Sequence, residues 1–316
     1  IHGDETPCIF LYKNKDKLAL NVSMLRNINE IEHLGINDDR DYFDMSTPYG
    51  YGGFIYNTQF DNEELIELGR EYEDFCKENN IICEFVRFHP ITKNYEQGKH
   101  IYDTFLIGHT IAIDLESDDQ VWASITSKNR NMIRKARNNS VKIHISNSKK
   151  LIPDFMQMYK ETMDRDGASE YYYFEKEYYE ALFSGNSDDV NFFYASYNDM
   201  IISMAIILKK AGQIHYHLSA SNYEYRQLAS TNLLLFEAAK WGIKNGCKTF
   251  HLGGGVGGDP HDSLFKFKRS FNRQTKKDFY IGKKIFDKEA YEKLIDSIDK
   301  NVELRENFFP KYRAII

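Results

Sequence analysis

Apolar positions along this chain follow two periods, and the switches between them divide it into short elements. Strand-like runs come first: Cys8 to Tyr12 and Leu18 to Met24 lie on either side of the turn Asn14-Lys15-Asp16. Asp44 to Asn57 reads as a loop rich in Tyr and Gly. Then Leu65, Leu68, Tyr72, Phe75 and Cys76 fall on one helical face, with Asp61 as cap and Glu64 at capping-box spacing. Ile81 to Phe88 and Phe105 to Leu115 read as strands, Trp122 to Asn139 as one helix with a basic face, and Val141 to Ile145 as a strand. Ile152 to Arg165 is a helix, and a Tyr-rich segment, Tyr171-Tyr172-Tyr173-Phe174, leads into another through Tyr178 and Leu182.

Val190 to Tyr197 and Met200 to Leu208 form a predicted hairpin whose turn signal is Asn198-Asp199, and Gln213 to Ser219 is the next strand. Leu228 to Lys244 is a strongly apolar helix stopped by Asn245-Gly246. Cys247 to Leu252 is a short strand that runs into Gly253-Gly254-Gly255-Val256-Gly257-Gly258. A helix over Asp262 to Phe271, a strand near Asp278 to Ile281 and a final helix follow. In both halves a hairpin precedes a helix ending in Lys-Glu-Asn-Asn or Ile-Lys-Asn-Gly, and a strand follows at once. This echo points to two copies of one mixed α/β unit.

Composition narrows the class. A length of 316 residues suits two domains. No apolar run approaches the ~18 residues of a membrane span, and 15% aromatic residues are enough to fill two cores. The net charge of −6 argues against a surface coated in basic charge for nucleic acid. Cys8, Cys76, Cys83 and Cys247 make no C-x-x-C pair, so they read as reduced thiols of a cytoplasmic protein. The first residues carry no signal-peptide pattern, and a short leading segment is expected to precede them.

Four segments could carry chemistry. Ser127 to Lys150 holds eight basic residues and no acid, and Arg130, Arg134 and Arg137 share one helix face suited to phosphates or carboxylates, or to the protein's own acids. The turn at Gly253, Gly254 and Gly255 precedes the acid-free stretch Leu264 to Lys277, where Lys266, Lys268 and Arg269 could join its backbone N–H groups around an anion. It is not a nucleoside-triphosphate P-loop. His215 and His217 lie at i, i+2 on one strand and His251 on a later one, so they can converge as candidate general bases. No further ligand for a metal is close in sequence. Tyr49 and Tyr51, set among glycines in Pro48-Tyr-Gly-Tyr-Gly-Gly53, offer a platform for substrate or pack on their own loop.

The block Leu228 to Gly255 followed by Leu264-Phe-Lys-Phe-Lys-Arg-Ser-Phe271 resembles the closing module of the FemAB-like branch of the GNAT superfamily. Trp122 with Asn129-Arg-Asn-Met-Ile-Arg-Lys-Ala136 is similar to that family's entry to its second domain, and the Pro48 to Gly53 loop is similar to one in the first. The resemblance spans nearly the whole chain. It implies an α/β fold of two tandem GNAT-like domains, each a mixed central sheet flanked by helices, here divided as 1–118 and 119–316. It implies transfer of an acyl or aminoacyl group to an amine of a cell-wall or envelope polysaccharide precursor, a soluble or lipid-linked acceptor. The co-substrate would be aminoacyl-tRNA or acyl-CoA, with no tightly bound cofactor and no metal.

By the same resemblance Lys268 handles a phosphate-bearing ligand, while His217 or His251, with His215 beside them, take the ammonium proton unless the substrate moves its own. An acetyl-CoA N-acetyltransferase acting on an amino sugar, or a silent nucleotide-sugar binding module, are the alternatives. Two departures stand out. The stretch Arg226-Gln-Leu-Ala-Ser-Thr-Asn232 lacks the glycines with which acetyl-CoA enzymes hold pyrophosphate. Fem enzymes that bind the nucleotide-linked pentapeptide carry Arg four residues before a Tyr of the second domain; counting back from Tyr178 and Tyr179 gives Phe174 and Glu175 here, so that Arg is missing.

Overall fold

The computed structural model describes residues 5–36, 40–185, 188–255, 257, 259 and 261–315; the predicted glycine run therefore has Val256 and Gly258 outside the described residues. In chain order the elements are β1 (Glu5–Asn14), β2 (Lys17–Asn27), β3 (Phe43–Ser46), β4 (Ile55–Tyr56), α1 (Asn62–Glu78), β5 (Ile81–Arg87), α2 (Tyr95–Gly98) and β6 (Asp103–Asp114). They continue as α3 (Asp118–Ser124), α4 (Ser127–Asn138), β7 (Lys142–Ser146), α5 (Ile152–Asp166), α6 (Lys176–Leu182), β8 (Val190–Tyr197), β9 (Met200–Lys210) and β10 (Gln213–Ser221). The last are α7 (Ser230–Lys244), β11 (Thr249–Gly253), α8 (Ser263–Arg269), β12 (Lys277–Ile285) and α9 (Lys288–Asp296).

Two compact units form. One takes the described residues up to Ile107 and from Asp278 onward; the other is Gly108–Lys277. The division read from the sequence at 118/119 ran the second domain to the end of the chain. In the structure the last segment returns to the first unit, because β12 pairs antiparallel with β5, Ile281 opposite Arg87.

The first unit is a mixed sheet in the order β1-β2-β3-β5-β12, with β4 also on β2. Only β3 and β5 run parallel within it. The predicted loop from Asp44 thus begins inside a strand. Asp61 and Glu64 close the predicted capping box of α1, each side chain accepting from the other's backbone N–H. The core holds two buried carboxylates. Glu84 accepts from Asn21 Nδ2 and Ser23 Oγ through one oxygen and from the Tyr72 and Tyr102 hydroxyls through the other. Asp44, fully buried, is held between Arg26 Nε and Arg313 Nε at 2.6 Å each, which ties the C-terminal segment to the sheet.

The second unit is a mixed sheet in the order β6-β11-β10-β9-β8-β7, with β10 and β11 parallel. In each unit a helix leads into the second strand of the parallel pair, α1 into β5 and α7 into β11. One face is covered by α3, α4, α7 and α8 through Val121, Ile133, Leu234, Ala238 and Phe265. The other carries Phe155 and Tyr179 from α5 and α6 against Phe192 and Phe183. Helix α7 is buried around most of its circumference, and Gly242 lets Leu115 and Ile214 come within the space a Cβ would take. The single helix expected over Trp122 to Asn139 is two. Ile125 is extended, and Thr126 caps a new start by accepting from Asn129 N. The Asn198-Asp199 turn has positive φ at both residues, 48° and 60°, as a tight hairpin requires.

Candidate functional site

β10 and β11 pair in parallel only as far as His215 opposite His251, although both strands continue, β10 to Ser221 and β11 to Gly253. Irregularities on both outer flanks accompany the parting. β10 bulges at His217 against β9, and β11 shifts register against β6 between His251 and Gly253. The result is a wedge in the sheet with a histidine on each strand at its apex.

Two of the three candidate histidines meet directly. His215 Nδ1 and His251 Nδ1 are 3.0 Å apart, so one donates its proton to the other's lone pair. Two imidazolium N–H groups cannot face each other at that distance, and the pair therefore carries at most one positive charge. His251, almost fully buried, is held at its other nitrogen by Thr110 Oγ1 at 2.9 Å. The His217 ring lies 6.2 Å from that of His215 and hydrogen-bonds the Tyr178 hydroxyl through Nε2. Burial pushes the His217 imidazole down to about 4, so near neutral pH it is uncharged. Phe174 stacks on Tyr178 with ring centroids 4.4 Å apart.

Lys268 also sits beside the wedge, but not as an exposed lysine. Its side chain is buried. Nζ donates to the Gly254 carbonyl at 2.7 Å and lies 5.9 Å from the centre of the Tyr216 ring. Burial lowers the ammonium to about 8, partly opposed by the Asp262 carboxylate, which caps α8 by accepting from Phe265 N. Lys266 and Arg269 do not join Lys268 against the Gly253 to Gly255 turn. On a seven-residue helix, Lys266 and Arg269 face out while Lys268 faces in, because i and i+3 share a face that i+2 opposes. Gly253 has φ +79°, and a Cβ on Gly255 would strike Asp262 and Phe265, so the turn hugs the cap of α8.

The basic face of α4 is largely occupied by the protein itself. Arg137 pairs with Glu237 at 2.7 Å, Arg134 lies over Trp122, and Arg130 donates to the Trp122 carbonyl and to Ser127. In the first unit the Pro48 to Gly53 loop is tied to the end of β5. Gly52 N donates to the Arg87 carbonyl, and Asn94 Nδ2 donates to the Gly52 carbonyl. Tyr51 packs edge-on against His89 and Phe279, so it is committed to the loop's own aromatic cluster; Tyr49 is half-buried in the same loop.

Thr110, Tyr178 and the Gly254 carbonyl were missed in the sequence. Thr110 had a faint signal, a polar residue in an apolar strand. A backbone carbonyl leaves none. Among the described residues no group of three or more His, Cys, Asp or Glu is arranged to hold a metal ion. The four cysteines are free thiols. No helix among the described residues is long and apolar enough to cross a membrane.

Residues 127–269 match the family model described as an acetyltransferase (GNAT) domain, a stretch that contains the three histidines, the parting strands and Lys268. The matched stretch lies within the second unit. A curated UDP-N-acetylmuramoylpentapeptide-lysine N(6)-alanyltransferase of Weissella viridescens is 27% identical over 175 residues, 54% of this chain and 50% of that protein, so the chain spans about half the length of the curated relative it matches. The fold is shared with the crystal structure of FemX, TM-score 0.68 at 13% identity over 91% of this chain and 90% of that one. It is shared too with L-PGS from Bacillus licheniformis, TM-score 0.58 at 12% identity over 89% and 84%. The chain is thus similar to a Fem-type aminoacyltransferase in sequence over about half its length and to FemX in fold.

Proposed function

We propose that this protein transfers an aminoacyl group from aminoacyl-tRNA to an amine of a cell-envelope precursor. The observation that carries the reading is the wedge between β10 and β11, which opens directly beyond the His215–His251 pair with Lys268 beside it. An activated carbonyl lodged there exchanges one bond for another. The acceptor nitrogen attacks the carbonyl carbon, a C–N bond forms, the C–O bond to the tRNA ribose breaks, and the ribose oxygen leaves with a proton. Backbone N–H groups on the parted strands steady the oxyanion.

His215 takes the ammonium proton. His251 cannot reach an acceptor itself, because it is buried and both of its ring nitrogens are engaged; it positions His215 and shares the charge. His217 is kept neutral by burial and, with Tyr178, orients the acceptor side. Lys268 offers its cation to the phosphate-bearing ligand.

The start of α7 favours a donor other than acetyl-CoA. Leu228, Ala229 and Ser230 are buried, and Ala229 holds a left-handed conformation, φ +53°, at the helix cap. A pyrophosphate needs open backbone N–H groups at that spot. The acceptor is an amine on a peptide-bearing precursor, by analogy with the alanyltransferase relative. No arginine stands four residues before Tyr178 or Tyr179, which favours a lipid-linked acceptor over the nucleotide-linked one.

The test incubates the protein with alanyl-tRNA or acetyl-CoA and with nucleotide- or lipid-linked lysine pentapeptide precursors, then reads the acceptor mass. The expected result is an aminoacyl mass gain with the tRNA donor and none with acetyl-CoA. An acetyl gain instead, or no gain with any pairing alongside tight acceptor binding, overturns the reading.

A further inference from the structure

The outer face of β1 is apolar and uncovered. Ile9, Leu11 and Ile55 are 65%, 63% and 66% exposed, the highest values among the large hydrophobic side chains of the described residues. The strand register makes them one patch. Ile9 lies opposite Val22, Leu11 opposite Leu20, Leu20 opposite Ile55, and Lys13 opposite Leu18, and directly opposed residues point to the same side. The inner face of the same strand is spent on the core, through Tyr12 and Phe10. β1 is also the end strand of the first unit's sheet, pairing among the described residues with β2 alone. A long, exposed, apolar end strand is a template for another strand.

The sequence of β1 says which strand. Glu5, Pro7, Ile9, Leu11 and Lys13 alternate onto the outer face, and the acid and the base stand four residues to either side of Ile9. Laid antiparallel on a second copy of itself with Ile9 at the two-fold axis, β1 sets Glu5 opposite Lys13 of the partner copy at both ends. Each Pro7 then faces the other copy's Leu11, and the two Ile9 side chains meet. The charges close the apolar stretch with opposite signs, as an isologous interface requires. Pro7 gives no N–H to such a ladder, so the contact rests on side chains more than on backbone bonds. Within its own chain Glu5 is paired across the sheet with Arg26, but Arg26 is already engaged by Asp44.

We propose that this protein self-associates through β1, edge to edge and antiparallel about Ile9. The proposal does not depend on the activity assigned above.

Sedimentation equilibrium of the full chain tests it, at concentrations up to the order of 100 μM, where a contact of this kind is measurable. Lys13→Glu and Glu5→Lys are each expected to weaken the dimer about tenfold, since each sets like charges opposite one another at both ends, and the double exchange is expected to restore it. Far-UV circular dichroism checks that each variant is folded. A second measurement places the axis. In a Cys8→Ser background, Ile9→Cys is expected to form an interchain disulfide on mild oxidation, because directly opposed residues of antiparallel strands sit about 4.5–5.5 Å apart at Cα. Three results each overturn the proposal: a chain that stays monomeric over the whole range, a dimer indifferent to both single charge changes, or a double exchange no better than the singles.

Discussion

Replacing Lys268 by Met separates what this side chain costs the fold from what it gives the site. In the folded protein its ammonium is buried and titrates at about 8 against 10.5 for a free lysine. That difference is roughly 2.5 units at 1.36 kcal/mol each, so holding the charge below pH 8 costs about 3 kcal/mol. Methionine fills nearly the same volume, removes that cost, and loses one hydrogen bond to the Gly254 carbonyl, about 1 kcal/mol. Lys268→Met should therefore stabilise the second unit by about 2 kcal/mol at pH 7. The sign with pH follows from the lowered value. The unfolded lysine still binds its proton between pH 8 and 10.5 while the folded one does not, so wild-type stability rises across that window. The variant should lose this rise. Both tryptophans, Trp122 and Trp241, belong to the second unit, so tryptophan-selective fluorescence in denaturant follows that unit. In parallel, binding of the phosphate-bearing donor should fall. A variant less stable than wild type by more than about 1 kcal/mol at pH 7, with the slope between pH 8 and 10.5 retained, refutes the reasoning.

Three further outcomes are expected. The imidazole of His217, lowered to about 4 by burial, should make the second unit lose about 3 kcal/mol as pH falls from 6.5 to 4, and His217→Asn should flatten that part of the fluorescence-detected stability curve. Asp44→Asn strands Arg26 and Arg313 without their shared carboxylate, so it should cost the first unit about 3 kcal/mol and speed proteolytic release of the C-terminal segment; unchanged cleavage rates would contradict the clamp. Gly242→Ala pushes a methyl to within 2.7–2.8 Å of Leu115 and Ile214, and should lower the second unit's stability by about 1–3 kcal/mol in urea titrations.

Periodicity by itself determined most elements of this protein. The capping box at Asp61 and Glu64, the Asn198-Asp199 turn and the stop at Asn245-Gly246 are local events, settled by residues within one turn of each other, and all three are present. The alternation His215, Tyr216, His217 and the strand over His251 were enough to expect the histidines near each other. Other features needed the chain to return on itself. The last segment rejoins the first unit because β12 finds β5, a pairing across nearly two hundred residues that no local pattern records. The break at Ile125, where the backbone goes extended and Thr126 caps a second start, lies inside a stretch whose helical period runs on without interruption.

Charge was the least legible property. Lys266, Lys268 and Arg269 read alike in sequence, yet the rotation of one short helix buries the middle cation against the Gly254 carbonyl and leaves its neighbours in water. The arginines of α4 suggested an anion site, but Glu237 and the Trp122 ring, brought close by folding, had already taken two of them. A sequence fixes which groups can ionise. Only the tertiary structure decides their surroundings, because burial and a neighbouring charge a few ångströms away outweigh anything adjacent along the chain.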